Sequence, residues 1–180
     1  NNSHIYYRTK MEIKDITVDF IISKVKNHKK HKKILLDLIE EMPFSQSQQN
    51  SRSDWLLPME QERKYLDYFY RHVIDETMDR MQDYFKANQW HIANSWYQQY
   101  WDGAHHVFHN HEKCNWANVY FLELPSSKDV TQIKIRDKLL DYKAKEGDVI
   151  TFPAHILHSA PSVNKKRKTV IAFNSNFSYY

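Results

Sequence analysis

Glycine is nearly missing from this chain: two residues in 180, Gly103 and Gly147, where an average protein carries about 7%. Phosphate-cradling loops need several closely spaced glycines, so dinucleotide and nucleoside-triphosphate sites of that kind are excluded. One cysteine, Cys114, excludes an internal disulfide framework and a cysteine-rich zinc module. No apolar run approaches the ~20 residues of a membrane-spanning helix, so no membrane partner is expected. No charged-then-apolar leader is visible in the residues given. Together with the lone cysteine this makes a reducing, cytoplasmic setting the expectation.

What is present is ordinary in bulk and unusual in detail. Hydrophobic residues make up 41% and charged residues 27%, a globular balance and not a disordered one. The length suits one domain with a real core. The chain holds 11 histidines, and His105, His106, His109 and His111 fall within seven positions. The formal charge is +4. Much of the excess sits in Lys24, Lys26, Lys29, Lys30, Lys32 and Lys33, which reads as a solvated helix face; nucleic acid is not expected as a partner.

The pattern divides the chain in two. Ile5 to Ile16 reads as an edge strand. Leu35, Leu38, Ile39 and Met42 fall at helical spacing, which predicts a helix from Val18 to Met42, ended by Pro43. Phe44 to Ser53 is polar and predicts a loop. Leu66, Tyr70, Val73, Thr77 and Met81 predict a long amphipathic helix between Met59 and Ala87. After Asn88 the texture is that of short strands: Trp90–Trp101, Val107–His111, Ala117–Leu124, Ile133–Leu140, Asp148–Phe152 and Thr169–Phe177. Turn signals without intervening helices predict a sandwich or barrel, so the fold class is α+β with the helices first.

His109-Asn110-His111 lies in a strand-like run, where residues two apart share a face. His109 and His111 can therefore converge on one ion. His158 follows a turn, a strand and the Phe152-Pro153 bend. Three imidazoles suit iron, zinc, copper or nickel alike. If the strand is regular, His106 has the wrong parity to join them and is a support or surface residue.

Trp96-Tyr97-Gln98-Gln99-Tyr100, His106-Val107-Phe108-His109-Asn110-His111, Asn118 to Pro125, Glu146 to Pro153, His158-Ser159-Ala160-Pro161 and Lys168 to Asn174 occur in an order that carries a resemblance. Asp54-Trp55 adds to it. The segment from Trp96 to Asn174 resembles the phage and bacterial branch of the 2-oxoglutarate/Fe(II)-dependent oxygenases, a group similar to prolyl hydroxylases. The resemblance implies a double-stranded β-helix, the jelly-roll also seen in cupins, with N-terminal helices packed on it. It implies one domain over residues 1–180, with 1–88 as mainly helical support and 89–180 as the catalytic core. It also implies Fe(II), 2-oxoglutarate as co-substrate, and O2.

By position, the resemblance makes His109, His111 and His158 the metal ligands. His111 stands where the wider superfamily has Asp or Glu, so the site would be one charge more positive. The co-substrate's far carboxylate needs a cation about ten residues beyond the last His. Lys168 is the favoured residue and Arg167 the alternative; they are not equivalent, since Arg pairs in a bidentate way and Lys as a point charge. Gln98, Tyr120 and Asn174 are candidate polar residues of the same pocket. The substrate is a small molecule or a peptide, and the oligomeric state stays open. Two other functions fit the residues: a three-His zinc enzyme carrying out hydrolysis or hydration, and a non-catalytic jelly-roll binding module.

Overall fold

The structure, a computed structural model, describes residues 17–46, 51–164 and 166–180. The edge strand expected at Ile5 to Ile16 lies outside the described residues. The first described elements are β1 (Ile21–Lys24) and α1 (His28–Glu40). The helix expected from Val18 is thus a strand followed by a shorter helix. Ile21 and Ile22 are β-branched and pair along β9 (Asp148–Pro153), with Ile21 opposite Thr151. Asn27 then takes a left-handed conformation, φ 52°, which breaks the chain direction before α1 begins.

The expected loop at Phe44 to Ser53 carries two short paired strands, β2 (Ser45–Gln46) and β3 (Arg52–Ser53). The long helix starts at Lys64, later than its periodicity suggests. It runs as α2 (Lys64–Phe69), a π-helical turn at Tyr70–Ile74, and α3 (Asp75–Phe85). A π turn inserts extra residues into the helical repeat. Here it lets Tyr65, Phe69, Val73, Ile74, Met78 and Met81 all face inward.

The β half comprises β4 (Gln89–Tyr100), β5 (His106–His109), β6 (Trp116–Glu123), β7 (Gln132–Ile135), β8 (Lys138–Leu139), β9, β10 (Leu157–Ala160) and β11 (Lys168–Ser178). The expected strand Ile133–Leu140 is a hairpin, turned at Arg136, whose φ is 55°. One sheet has the order β1-β9-β6-β11-β4-β3-β2 and the other β5-β10-β7-β8. All the pairings are antiparallel. Two facing antiparallel sheets are consistent with a double-stranded β-helix.

Each face of the large sheet has its own core. Tyr97, Tyr120, Leu122, Val149, Ile171 and Phe173 form one cluster with Leu35 and Ile39 of α1 and with Tyr65, Phe69, Met78 and Met81 of the long helix. Tyr100, Val119, Phe121, Ile150, Phe152 and Val170 form the other, with Ile133 and Ala160 from the small sheet. Period-two alternation produces this split: on β11 the odd residues face the helices and the even ones face the second sheet. None of the helices among the described residues is long and apolar enough to cross a membrane.

Asp54 joins the helical layer to the sheet. It is fully buried and accepts hydrogen bonds from Tyr65 Oη at 2.7 Å, Arg63 Nε at 2.9 Å and the Tyr97 backbone N–H at 3.0 Å. Replacing it with Ala leaves the buried Tyr65 hydroxyl and the Tyr97 N–H without their acceptor, while Arg63 keeps the backbone carbonyls of Leu57, Pro58 and Gln61. Each buried polar group left unsatisfied costs about 1–3 kcal/mol. Asp54→Ala is therefore expected to lower the urea midpoint by that equivalent; a midpoint within error of the parent would contradict this account of the junction.

Candidate metal centre

His109 ends β5, His111 follows two residues later, and His158 lies on β10 directly opposite His109. One ring nitrogen of each lies within 4.8 Å of those of the other two. The ring centroids are 4.2 Å apart for His109 and His158, 4.8 Å for His111 and His158, and 5.2 Å for His109 and His111. The strand ends before His111, whose backbone N–H is held by Ala154 O at 2.9 Å. A strand pair and a tethered loop therefore bring the three together, and a regular strand does not.

The hydrogen bonds fix which nitrogen is free. His109 Nδ1 bonds Val107 O at 2.9 Å, His158 Nδ1 bonds Ile156 O at 3.0 Å and His111 Nδ1 bonds Asn174 Oδ1 at 2.6 Å. All three partners are acceptors, so each Nδ1 carries the proton and each Nε2 keeps its lone pair. A metal-binding histidine needs this arrangement of donor and free nitrogen. Burial lowers all three pKa values, that of His158 to about 3. The imidazoles are neutral at pH 7, the form that ligates. On these observations the donor set fits a divalent transition metal.

The regular-strand expectation for His106 does not hold. His109 pairs with His158 and His106 with Ala160, so three residue steps on β5 face two on β10. That extra residue is a β-bulge, and it reverses the parity of everything before it. Val107 and Phe108 point outward and are exposed, while the His106 ring packs on His109 at 4.3 Å between centroids. His106 lines the recess beside the three histidines. Burial, and the neighbouring imidazoles after it, push its pKa down to about 4.

The recess has a volume of about 60 Å³, room for roughly four to six waters. Trp96, Gln98, Tyr100, Val170 and Lys168 line it together with the histidines. Lys168 is fully buried, and its Nζ has no hydrogen-bond partner among the described residues. It lies 5.3 Å from the Tyr100 ring centroid and 5.8 Å from that of Phe121. Burial pushes its pKa down to about 7, against the opposing charge of Asp129.

The remaining candidates divide. Gln98 lines the recess and donates to Ser51 Oγ. Asn174 faces the same side but is committed to His111 and, through its Nδ2, to Asn94 Oδ1 at 2.7 Å. Tyr120 is on the other face of the sheet: it packs against Phe69, and its hydroxyl meets His28 Nδ1 at 2.7 Å. Arg167 also goes to the helical side. Its Nε donates to Glu123 at 2.7 Å, its Nη2 to the other oxygen of Glu123, and its Nη1 to Glu40. Neither Tyr120 nor Arg167 reaches the recess. β6 is buried on both faces, so its sequence gives no signal of which way Tyr120 points.

A cleft of about 700 Å³ opens from the recess, walled by Trp55, Leu56, Asn94, Trp96, Asn110 and Asn174 among others. Trp55 meets Trp96 edge-on at 4.5 Å and is half exposed. Trp96 lies on the cleft wall. Trp116, by contrast, stacks on Phe85 at 4.4 Å, on the helical side.

No protein-family model matches the chain, and no curated protein matches it. Solved structures do. A 2OG-Fe(II) oxygenase family oxidoreductase from Burkholderia pseudomallei matches with a TM-score of 0.68 at 10% identity, covering 87% of this chain and 84% of that one. HygX from Streptomyces hygroscopicus, with nickel and 2-oxoglutarate bound, matches at 0.67 and 11%, covering 89% and 83%. The viral collagen prolyl hydroxylase from Paramecium Bursaria Chlorella virus-1, in its 2OG complex, matches at 0.59 and 12%, covering 89% and 96%. At these identities the likeness shows the fold: this chain is folded as the 2OG-Fe(II) oxygenases are.

The buried imidazoles set a pH dependence for the metal-free protein. Their folded pKa values lie below the 6.5 of a free histidine. Below pH 6.5 the unfolded chain takes up protons that the folded chain refuses, so stability falls as pH falls. The loss continues toward the folded values, about 4 for His106 and about 3 for His158. The urea midpoint of the metal-free protein is expected to drop between pH 7 and pH 5, and less steeply in His158→Gln. An identical slope in parent and variant would contradict the buried, neutral state of His158.

Proposed function

We propose that the chain is an Fe(II)- and 2-oxoglutarate-dependent oxygenase that hydroxylates a substrate held in the cleft. The observation that carries this is the pairing of two features in one recess: three Nε2 lone pairs gathered at one end, and an unpartnered buried ammonium lining the same walls. A short dicarboxylate has the charge to satisfy the second while a 2-oxoacid group meets a metal at the first. The Burkholderia, Streptomyces and viral proteins share the fold and are named for that chemistry.

In this reading His109, His111 and His158 hold Fe(II), which when bound supplies oxygen activation coupled to decarboxylation of the co-substrate. The chain's own residues do the rest. Val107 O, Ile156 O and the Asn174 side chain aim the three rings. Lys168 fixes the distal carboxylate as a point charge. Tyr100, Phe121 and Val170 keep water from that charge, which strengthens the pairing. Gln98 presents its amide to the recess, braced by Ser51. Trp55, Trp96 and the asparagines of the cleft wall receive the substrate, a small molecule or a peptide segment.

A zinc hydrolase would use the same three imidazoles. It gives no role to an unpartnered lysine buried beside them, and so the oxygenase reading is preferred.

Anaerobic addition of Fe(II) and 2-oxoglutarate to metal-free protein is expected to produce a visible metal-to-ligand charge-transfer band, lost in His109→Ala and His158→Ala. Metal binding without any band would overturn the oxygenase reading in favour of hydrolytic zinc. Lys168→Ala is expected to weaken 2-oxoglutarate binding at least about tenfold, as loss of a charged hydrogen bond does, with metal affinity kept. Arg167→Ala is expected to leave both unchanged; the reverse result would move the anchor to Arg167.

The depressed pKa of Lys168, about 7, adds a proton count. Above pH 7 the empty pocket holds a largely neutral amine, and a bound carboxylate draws the proton back. Calorimetry at pH 8 in buffers of different ionisation enthalpy is expected to show proton uptake on 2-oxoglutarate binding. No uptake in the parent protein would contradict a neutral resting Lys168.

A further inference from the structure

The three metal-facing histidines each have Nδ1 committed to an acceptor. His106 is different. It is drawn onto the same wall by the bulge in β5, its ring rests on His109, and it makes no described hydrogen bond. It lines both the recess and the cleft, so it stands where the two meet. Ala160, Tyr100, Lys168, His109, His111 and His158 all line the recess, with Lys168 paired to Tyr100. The backbone of His106 lies opposite Ala160, while its ring packs on His109. A ligand joining Lys168 to the three histidines would occupy the recess that this ring lines.

We propose that His106 is a binding residue for the co-substrate, its free ring N–H donating a hydrogen bond to a 2-oxodicarboxylate lying between Lys168 and the three histidines. This inference rests on the oxygenase reading above and adds a contact that the metal and Lys168 do not supply. Two features of the ring favour it. A half-buried neutral imidazole has one N–H to donate, and a ligand that displaces solvent from the recess would have to meet it. Its neighbour on β10 is Ala160, which offers no side-chain partner.

Three constraints separate this role from its alternatives. His106 is not one of the three residues whose nitrogens gather within 4.8 Å, so a ligand role would need the ring to leave its place on His109. A merely structural role, packing against His109, would be served equally by an aromatic ring without nitrogen. A substrate-binding role would leave co-substrate affinity alone.

The test measures Fe(II) affinity and then 2-oxoglutarate affinity, anaerobically, in the parent, His106→Phe and His106→Gln, with a thermal melt of each. Binding is read from the charge-transfer band and from calorimetry, so turnover is not needed. The expected result is 2-oxoglutarate affinity about tenfold or more weaker in His106→Phe, partly restored in His106→Gln, with Fe(II) affinity within about twofold of the parent. Unchanged 2-oxoglutarate affinity in a folded His106→Phe overturns the proposal. Loss of Fe(II) affinity as large as in His109→Ala overturns it too, making His106 a metal ligand. If the parent itself binds no 2-oxoglutarate, the oxygenase reading fails first, and the proposal with it.

Discussion

Lys168 is the constraint on which the site turns. An ammonium taken wholly out of water without a partner is among the most expensive things a fold can hold. This one has two aromatic rings near it and, among the described residues, no hydrogen-bond partner. The fold tolerates it by lowering its pKa to about 7, so that the resting group sheds its charge at little cost. A side chain placed this way is poorly suited to stabilising the protein and well suited to capturing an anion. Its position on β11, in the same recess as three convergent imidazoles, determines what kind of anion can use it.

The rest of the architecture follows from the two faces of one sheet. Even-numbered residues of β11 look into the recess: Lys168, Val170 and Ala172 line it, and Asn174 reaches His111. Odd-numbered ones, Ile171 and Phe173, pack under the helices. The helical layer packs on the large sheet, which carries Lys168, while His109 and His158 lie on the small sheet that faces it. Arg167 shows the same rule at the sheet's end. It lies one position from Lys168 and spends its guanidinium on Glu123 and Glu40, tying β11 to β6 and α1.

Much of this was legible in the residues. The long helical stripe, the aromatic strands after Asn88 and the His-x-His pair depend on local periodicity, which sequence displays directly. The choice between Lys168 and Arg167 depends on strand parity relative to a neighbour, which the pattern only suggested. Tyr120 points to the helical side, which the residues do not reveal because β6 is buried on both faces and hydrophobicity does not distinguish them. His106 was misplaced because a bulge is a relation between two strands, invisible in either alone. The strand β1 was hidden by the lysines around it, and its existence depends on pairing with β9, more than a hundred residues away.

The neutral donor set gives the centre its own character. Two imidazoles are steadied by backbone carbonyls of nearby residues, but His111 relies on Asn174, itself held by Asn94 at the cleft wall. Of the three candidate ligands, His111 is thus the one held by a side chain of the cleft wall. The most direct test of the account is a crystal structure of the protein grown with Ni(II) and 2-oxoglutarate, with the metal located by anomalous scattering. The metal is expected among His109, His111 and His158 and the distal carboxylate on Lys168 Nζ. Metal bound elsewhere, or a carboxylate held by Arg167, would contradict it.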